Sequence, residues 1–450
     1  MEKRFKNICA INRMIFTGPP GAAAISLHAI GKQDTYLLHS DTNESLFNYD
    51  SQRHSNFTKF HASKNITNPG VPDSHLLKLG WPFGQTLKVT LEPRNMGDLL
   101  SNMYIYLKLP ALTAGTQYAD QVGRHLIKSI TMKADDLLIE KYHDDWGIIY
   151  DEMYLDASEK RTKRYTLNRN LAEDTSSLPG NQVFGQFESD VMIPIPFFFS
   201  RKYEGDEYST NKPNRPYLPL CAMHKQKILF EIEFHPQSFF TDDTNPVTLG
   251  SFDIITEEMT LTSEEQTYLK TKRQLFITDV VKKHPTIETE VGKDSLKIEL
   301  VPKIPVKTLN WFLIKNDFET DLGNHFNFSA NNVYSVENSF YYPVMETAKL
   351  YVKGEDLPNV ENVDHPYYKY LVPSMSRLSR PNRNIYTYTF SMNPINVEPS
   401  GSLDFGQIKS NRTILDLKLK KGLTDVYTLH IYYVGYQSFI FEDGFMKLAY

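Results

Sequence analysis

Short runs of alternating apolar and polar residues recur along the whole chain, and they constrain its fold more than any other feature. Ile228, Phe230, Ile232 and Phe234 alternate with Leu229, Glu231 and Glu233. Leu296, Ile298 and Leu300 alternate with Lys297 and Glu299, and Tyr386, Tyr388 and Phe390 with Thr387 and Thr389. Leu415, Leu417 and Leu419 alternate with Asp416, Lys418 and Lys420. A period of two puts one set on a buried face and the other toward solvent or a partner. The runs are short and lie between Pro, Gly, Asn and Asp clusters, the pattern of an antiparallel sandwich or barrel.

Similar ladders cover 87–91, 103–109, 127–132 and 227–234 in the first half, and 308–314, 348–352 and 426–434 in the second. At 450 residues the chain is too long for one ordinary domain. Each half has the size of an eight-stranded jelly roll with long loops. No literal sequence repeat links the halves. Tyr and Phe, 27 of each, favour strands. Two helices are expected. Trp146, Ile149, Tyr150 and Met153 fall on one helical face behind Asp144 and Asp145. Ser263 to Arg273 forms the second, where a linker between the halves belongs.

Composition excludes several classes. A net charge of −5 is not that of a general nucleic-acid binder. Cys9 and Cys221 lie far apart, which gives no disulfide framework and no structural zinc spacing. No run reaches the roughly 18 apolar residues of a membrane span. Residues 1–27, broken by Gly18-Pro19-Pro20-Gly21, read as an arm rather than a signal peptide.

The search for chemistry names no catalytic, cofactor-binding or metal-binding residue: there is no P-loop, Rossmann glycine motif, HExxH or GxSxG. The best acidic cluster, His143, Asp144, Asp145, Asp151 and Glu152, reads as a helix start with solvated carboxylates. The basic run Lys160, Arg161, Lys163, Arg164 and Arg169 reads as a solvated loop or a subunit contact rather than a phosphate site. The run Val191 to Phe199 holds two prolines and three consecutive aromatics, Phe197, Phe198 and Phe199. It suits a segment held between layers, a subunit contact or a buried loop. Sequons stand at Asn43, Asn56, Asn65, Asn327 and Asn411. Their chance occurrence is the simplest account, with glycosylation the alternative.

Several pieces, in order, resemble one family. They are Ile30 to Leu37, Gln52-Arg-His-Ser-Asn-Phe57, Gly97 to Pro110, and Val122 to Ser129 with Trp146 beyond it. Next come Ile193-Pro-Ile-Pro-Phe-Phe-Phe-Ser-Arg201, Ile304-Pro-Val-Lys-Thr-Leu-Asn-Trp311, and Asn393-Pro394 with Glu398-Pro-Ser-Gly-Ser402 and Asp404-Phe405. Gly444-Phe-Met-Lys-Leu-Ala-Tyr450 ends the series. Together they are similar to the double jelly-roll major capsid proteins of nucleocytoplasmic large DNA viruses.

The resemblance implies an all-β fold of two tandem eight-stranded antiparallel jelly rolls with long loops and a few short helices. It divides the chain into an arm at 1–27, a first roll at 28–262 and a second at 263–450. It implies a homotrimer of six-fold-like outline, tiling a virion shell assembled in host cytoplasm. Its partners would be neighbouring capsomers, minor capsid proteins and, indirectly, an inner membrane, with no cofactor and no direct nucleic-acid contact. Phe197 to Phe199 and Arg161, Lys163 and Arg164 are the candidate subunit contacts. A minor or scaffolding paralogue and a carbohydrate-binding β-sandwich protein remain the alternatives.

Overall fold

The computed structural model describes residues 57–66, 80–119, 121–167, 188–201, 217–320, 324–352, 355–357, 363–396, 399–408 and 413–449. The arm at 1–27 and the opening segment Ile30 to Leu37 lie outside them. Nine strands come first among the described residues: β1 (Thr58–Asn65), β2 (Thr86–Leu91), β3 (Leu99–Leu109), β4 (Ile127–Ala134), β5 (Leu137–His143), β6 (Ser189–Pro194), β7 (Leu218–Pro219), β8 (Ile228–Phe234) and β9 (Ser251–Thr260). Eleven more complete the set: β10 (Gln274–Lys283), β11 (Ile287–Glu288), β12 (Ser295–Glu299), β13 (Pro305–Lys315), β14 (Met345–Val352), β15 (Glu355–Leu357), β16 (Tyr386–Thr389), β17 (Leu403–Asp404), β18 (Thr413–Leu419), β19 (Tyr427–Glu442) and β20 (Phe445–Leu448).

The first set forms two sheets, ordered β1-β9-β3-β6 and β2-β8-β4-β5. The second set repeats the same order as β10-β19-β13-β16 and β12-β18-β14-β15. All these pairings are antiparallel. Each set is a jelly roll of four strands facing four, so the fold is all-β, with one topology used twice. The short strands β7, β11, β17 and β20 extend the outer sheets.

Four helices shape the ground between the rolls: α1 (Val122–His125), α2 (Asp144–Met153), α3 (Ala157–Leu167) and α4 (Ser263–Thr271). The expected helices are α2 and α4. α4 bridges β9 and β10 and buries none of its residues. α3 is a correction, since the basic run reads in sequence as a loop. Its start explains the helix. Glu159 N donates to Asp156 Oδ1 at 2.8 Å, and Asp156 N donates to Glu159 Oε2 at 3.1 Å. This reciprocal capping satisfies two helix-end N–H groups despite the charge density of the helix itself.

Each roll has its own core. The buried sides of β2, β4 and β8, including Leu87, Val89, Ile130, Met132, Phe230 and Ile232, face the buried sides of β3 and β9. In the second roll Trp311 fills the space between sheets, 5.2 Å from the Tyr368 ring and donating to Met345 Sδ at 3.4 Å. The two cores join into one continuous hydrophobic cluster. The rolls differ at one place. In β3, burial alternates over most of the strand. In β13, its topological counterpart, all eleven residues are buried.

The reversal around Pro399-Ser400-Gly401 uses glycine as its sequence suggests. Gly401 has φ +128°, and a Cβ there would meet Phe390 O at 3.0 Å. Gly435 in β19 is more constrained, because a Cβ would come 2.3 Å from Pro305 O across the irregular start of the β13 pairing. Gly435→Ala is expected to force β13 and β19 apart at that point. The expected cost is about 1–3 kcal/mol, as for other overpacked sites. Urea unfolding measures it, and an unchanged midpoint would show that the pair has slack.

Candidate functional site at the seam of the two rolls

The second roll's sheet is buried on both faces because the first roll lies on it. α2 brings Asp145, Trp146 and Glu152 to that contact, and its sequence explains how. Asp144 and Asp145 occupy the first turn, where helix N–H groups lack partners. Asp144 Oδ1 accepts from Asp145 N at 2.8 Å, and Asp145 Oδ1 accepts from Trp146 N at 3.0 Å. Gly147 allows close approach, since a Cβ there would sit 2.2 Å from the Tyr142 hydroxyl. Under it, the fully buried Arg124 holds Asp151 through two bonds of 2.8 and 2.9 Å and donates to Tyr142 at 2.8 Å. The outward side of α2 then packs Trp146 5.6 Å from the Tyr432 ring of β19.

Charged groups cross the seam at three points. Asp145 accepts from Lys283 at 2.8 Å, pairs with His430 Nδ1 at 2.7 Å, and takes a short bond from the Tyr432 hydroxyl. Burial alone would raise the Asp145 pKa, yet Lys283 and His430 hold it well below the usual carboxylate range. Glu152 accepts from Arg383 N at 2.9 Å and closely from the Arg383 guanidinium. Glu140 accepts from Phe198 N and Val281 N, both at 3.0 Å, and closely from Arg201, which in turn donates to Asp279 O at 2.8 Å. Beside them Lys307, with no exposed side-chain surface, pairs closely with Asp279. Burial pushes the Lys307 pKa down, and Asp279 opposes that shift.

Rings stack across the seam as well. Phe239 lies between His235 and His325, with centroids 3.7 Å away on either side. His325 also contacts Phe239 O at 2.5 Å and Phe318 O at 3.0 Å. His125, from α1, sits 5.0 Å from the His325 ring.

Most of the site residues named from sequence turn inward. Phe197, Phe198 and Phe199 are fully buried within the chain. Phe198 packs 5.9 Å from both Phe276 of β10 and Phe439 of β19. Their expected role as subunit contacts is corrected: they fill the seam inside one chain and offer no surface to another. Lys163 is also tied inward, bonded to Asp151 at 2.8 Å and 4.8 Å from the Tyr150 ring. Arg161 is exposed on α3, and Arg164 lies on the same helix. The acidic cluster is corrected too, since Asp145 and Glu152 are buried ion partners rather than solvated caps.

Asn327 is fully buried. Its amide donates to Asn331 O at 2.8 Å, and its Oδ1 accepts from the Ser329 hydroxyl at 2.7 Å. The folded chain has no room for a glycan there, which corrects that expectation. Asn65 ends β1, while Asn43, Asn56 and Asn411 lie outside the described residues. Among the described residues, no group of three or more His, Cys, Asp or Glu side chains is placed to hold a metal. Sequence reasoning misses Glu140, Arg201, Asp279, Lys307 and Arg383. Arg201 and Lys307 stand inside stretches that carry the resemblance, yet nothing local marks any of the five as an ion partner, and only the tertiary pairing does.

Lys307→Met leaves Asp279 without its ion partner in a buried site. A loss of about 3–5 kcal/mol in denaturant unfolding is expected. A variant as stable as the parent would show that Asp279 is not buried as described. The histidines predict a pH dependence. Burial lowers His125 well below 6.5, His143 to about 4, and His325 in the same direction. The unfolded chain therefore binds protons that these folded sites refuse. Their contribution is complete above about pH 6.5 and is lost as pH falls from there through the folded values. Asp145, held low, keeps its contribution through this window. Thermal midpoints should drop between pH 6.5 and 4, and His125→Phe should reduce that slope; a flat profile would contradict the assignment.

Comparison with known proteins agrees with this architecture. Residues 45–270 match the family described as major capsid protein N-terminus, and residues 264–433 match the family described as large eukaryotic DNA virus major capsid protein. The major capsid protein of Pyramimonas orientalis virus is 23% identical over 452 residues, covering 96% of this chain and 99% of that one. The probable capsid protein 4 of Acanthamoeba polyphaga mimivirus is 25% identical over 222 residues, 47% of this chain and 37% of that longer relative. Among solved structures, PBCV-1 VP54 aligns with a TM-score of 0.68 at 18% identity, over 89% of this chain and 98% of that one. The Faustovirus major capsid protein aligns with a TM-score of 0.61 at 10% identity, over 97% of each chain. The doubled jelly roll and these matches together establish that the chain belongs to the major capsid protein family of large eukaryotic DNA viruses.

Proposed function

We propose that this chain is a shell-building protein, three copies of which close into a capsomer of six-fold-like outline. The observation that carries the reading is the repeated strand order β1-β9-β3-β6 and β10-β19-β13-β16 within one rigidly seamed chain. Two like rolls per chain give three chains six similar building blocks, which suits closed cyclic symmetry. The blocks in this reading are 28–262 and 263–450. Capsomers then tile the virion shell beside other capsomers and minor capsid proteins, over any inner membrane, after synthesis in host cytoplasm.

A structural rather than catalytic role is supported by how the buried carboxylates are used. Asp145, Glu140, Glu152 and Asp279 all bind cations or N–H groups of their own chain. Arg161 on the outer side of α3 remains a candidate for lateral contact.

Sedimentation of the full chain at micromolar concentration tests the reading. A single species with the mass of three chains, hexagonal in negative stain, is expected. A stable monomer would overturn it, and turnover in a glycan-hydrolysis screen would favour an enzymatic β-sandwich protein instead.

A further inference from the structure

The two rolls share a topology but not the cover on their outer sheets, and this difference points to a specific interface. In the second roll the outward side of β10-β19-β13-β16 carries Thr308, Asn310 and Phe312 of β13, with Thr387, His430 and Tyr432 paired beside them. All but the half-buried His430 are buried. The cover comes from α2, between β5 and β6, and from the segment 195–201 just after β6.

In the first roll the corresponding outward side belongs to Asn102, Tyr104, Tyr106 and Lys108 of β3. Across the pairings, Tyr104 lies beside Ile255 and Pro194, and Tyr106 beside Asp253 and Met192. These positions are only partly buried, and Met192 is 41% exposed. α3 packs beside the edge strand β6, and Tyr150, Glu159 and Lys163 stand with Asn102 and Tyr104 around a cleft at one end of this face; farther along it, Met192 keeps its exposure. The face is a stripe of aromatic and aliphatic side chains whose rim mixes Asp190 and Asp253 with Lys108, and whose Glu257 is paired with Lys59 at 2.7 Å.

The second roll has its own segment in the slot that α2 fills in the first. It is the helical segment 367–375, between β15 and β16. Tyr368 anchors it inward on Trp311. On its outer side Leu371 is 50% exposed and Met375 69% exposed. Met392, placed after β16 as residues 195–201 are after β6, is 69% exposed. Arg377 and Arg380 lie beside the helical segment and are exposed, with no acidic residue between 367 and 380. An apolar helix flanked by cations thus has no partner surface in the slot where α2 has one, and the stripe around Met192 and Ile255 is left partly exposed.

We propose that these two surfaces meet between copies: helical segment 367–375 of one chain covers the outward face of β1-β9-β3-β6 of the next. The proposal rests on the trimeric reading above and specifies its contact. The occupant is a second copy of this chain because the same slot, on the same strand order, is filled in that way within the chain. The contact is heterologous, head to tail, and it generates a ring when the rotation closes. With three chains, junctions within and between chains alternate and every outer sheet face is covered.

Two variants test it, each carrying two lysines on one surface: Met192→Lys with Ile255→Lys on the sheet, and Leu371→Lys with Met375→Lys on the helix. All four positions are outward and partly or largely exposed, so thermal midpoints near that of the parent are expected and report that each variant folds. Native mass spectrometry of the full chains then reads association. Like charges forced into either contact should weaken it roughly 100-fold or more, leaving each variant monomeric. Mixed, the two variants should form a dimer that does not grow, because the intact helix of one meets the intact sheet of the other and no further pair remains. If the parent is trimeric and folded variants stay trimeric, this contact is overturned while the trimer stands. If both variants are monomers and the mixture stays monomeric, the two surfaces do not meet and the pairing is overturned. A monomeric parent overturns the trimeric reading itself.

Discussion

The packing of α2 on the outward face of β10-β19-β13-β16 is the contact on which the rest of the structure depends. A jelly-roll sheet closes its own core with one face and leaves the other toward solvent or a partner. Here the second face carries Phe312 and Tyr432 together with Thr308, Asn310 and Thr387. Left uncovered, it would expose rings and strip several polar groups of fixed partners. The first roll supplies both needs, Trp146 against Tyr432 and the Met153 region against Thr387. The seam thereby joins the two rolls through one continuous hydrophobic cluster.

The seam is unusually rich in charge for a buried surface. Removing carboxylates and ammonium groups from water costs several kcal/mol per ion, which good pairing only offsets. Asp145, Glu140, Glu152 and Asp279 therefore add little net stability over a well-packed apolar seam. What they add is uniqueness of placement. Phe198 N and Arg201 fix Glu140 from its own roll, while Val281 N donates to Glu140 and Arg201 donates to Asp279 O across the seam, so a small slide of one roll on the other breaks both crossing bonds at once. An apolar seam would tolerate that slide, as cores tolerate repacking.

Much of this is legible in the sequence, and the places where it is not have a physical pattern. Strands with one wet face, such as β8 and β18, alternate in sequence as they do in burial. β10 shows no such alternation because eight of its ten residues are buried, and burial on both faces erases the period of two. Pro194 at the end of β6 and Pro196 just beyond it make the segment unfit for a central strand, and β6 is an edge strand, paired on one side with β3. The aromatic run at 197–199 stands out as special, but sequence cannot tell a surface buried by the same chain from one buried by another. The ion partners are invisible for the same reason. Arg383 and Glu152 are 231 residues apart, and nothing local marks either.

That ambiguity carries its own information once both rolls are in view. A face covered during folding of a single chain can hold His430, Asn310 or Lys307, because their partners arrive in the same molecule and in fixed geometry. A face covered only when chains meet must first stay soluble without its cover. Tyr104, Tyr106 and Met192 suit that second condition: they give apolar area for contact, while the Tyr106 hydroxyl already donates to Asp190 at the surface. The two outer faces diverge: the second roll's is buried beneath the first roll, and the first roll's is amphipathic and partly exposed. On the proposed contact, the same strand order carries different residues because one face is covered within the chain and the other between chains.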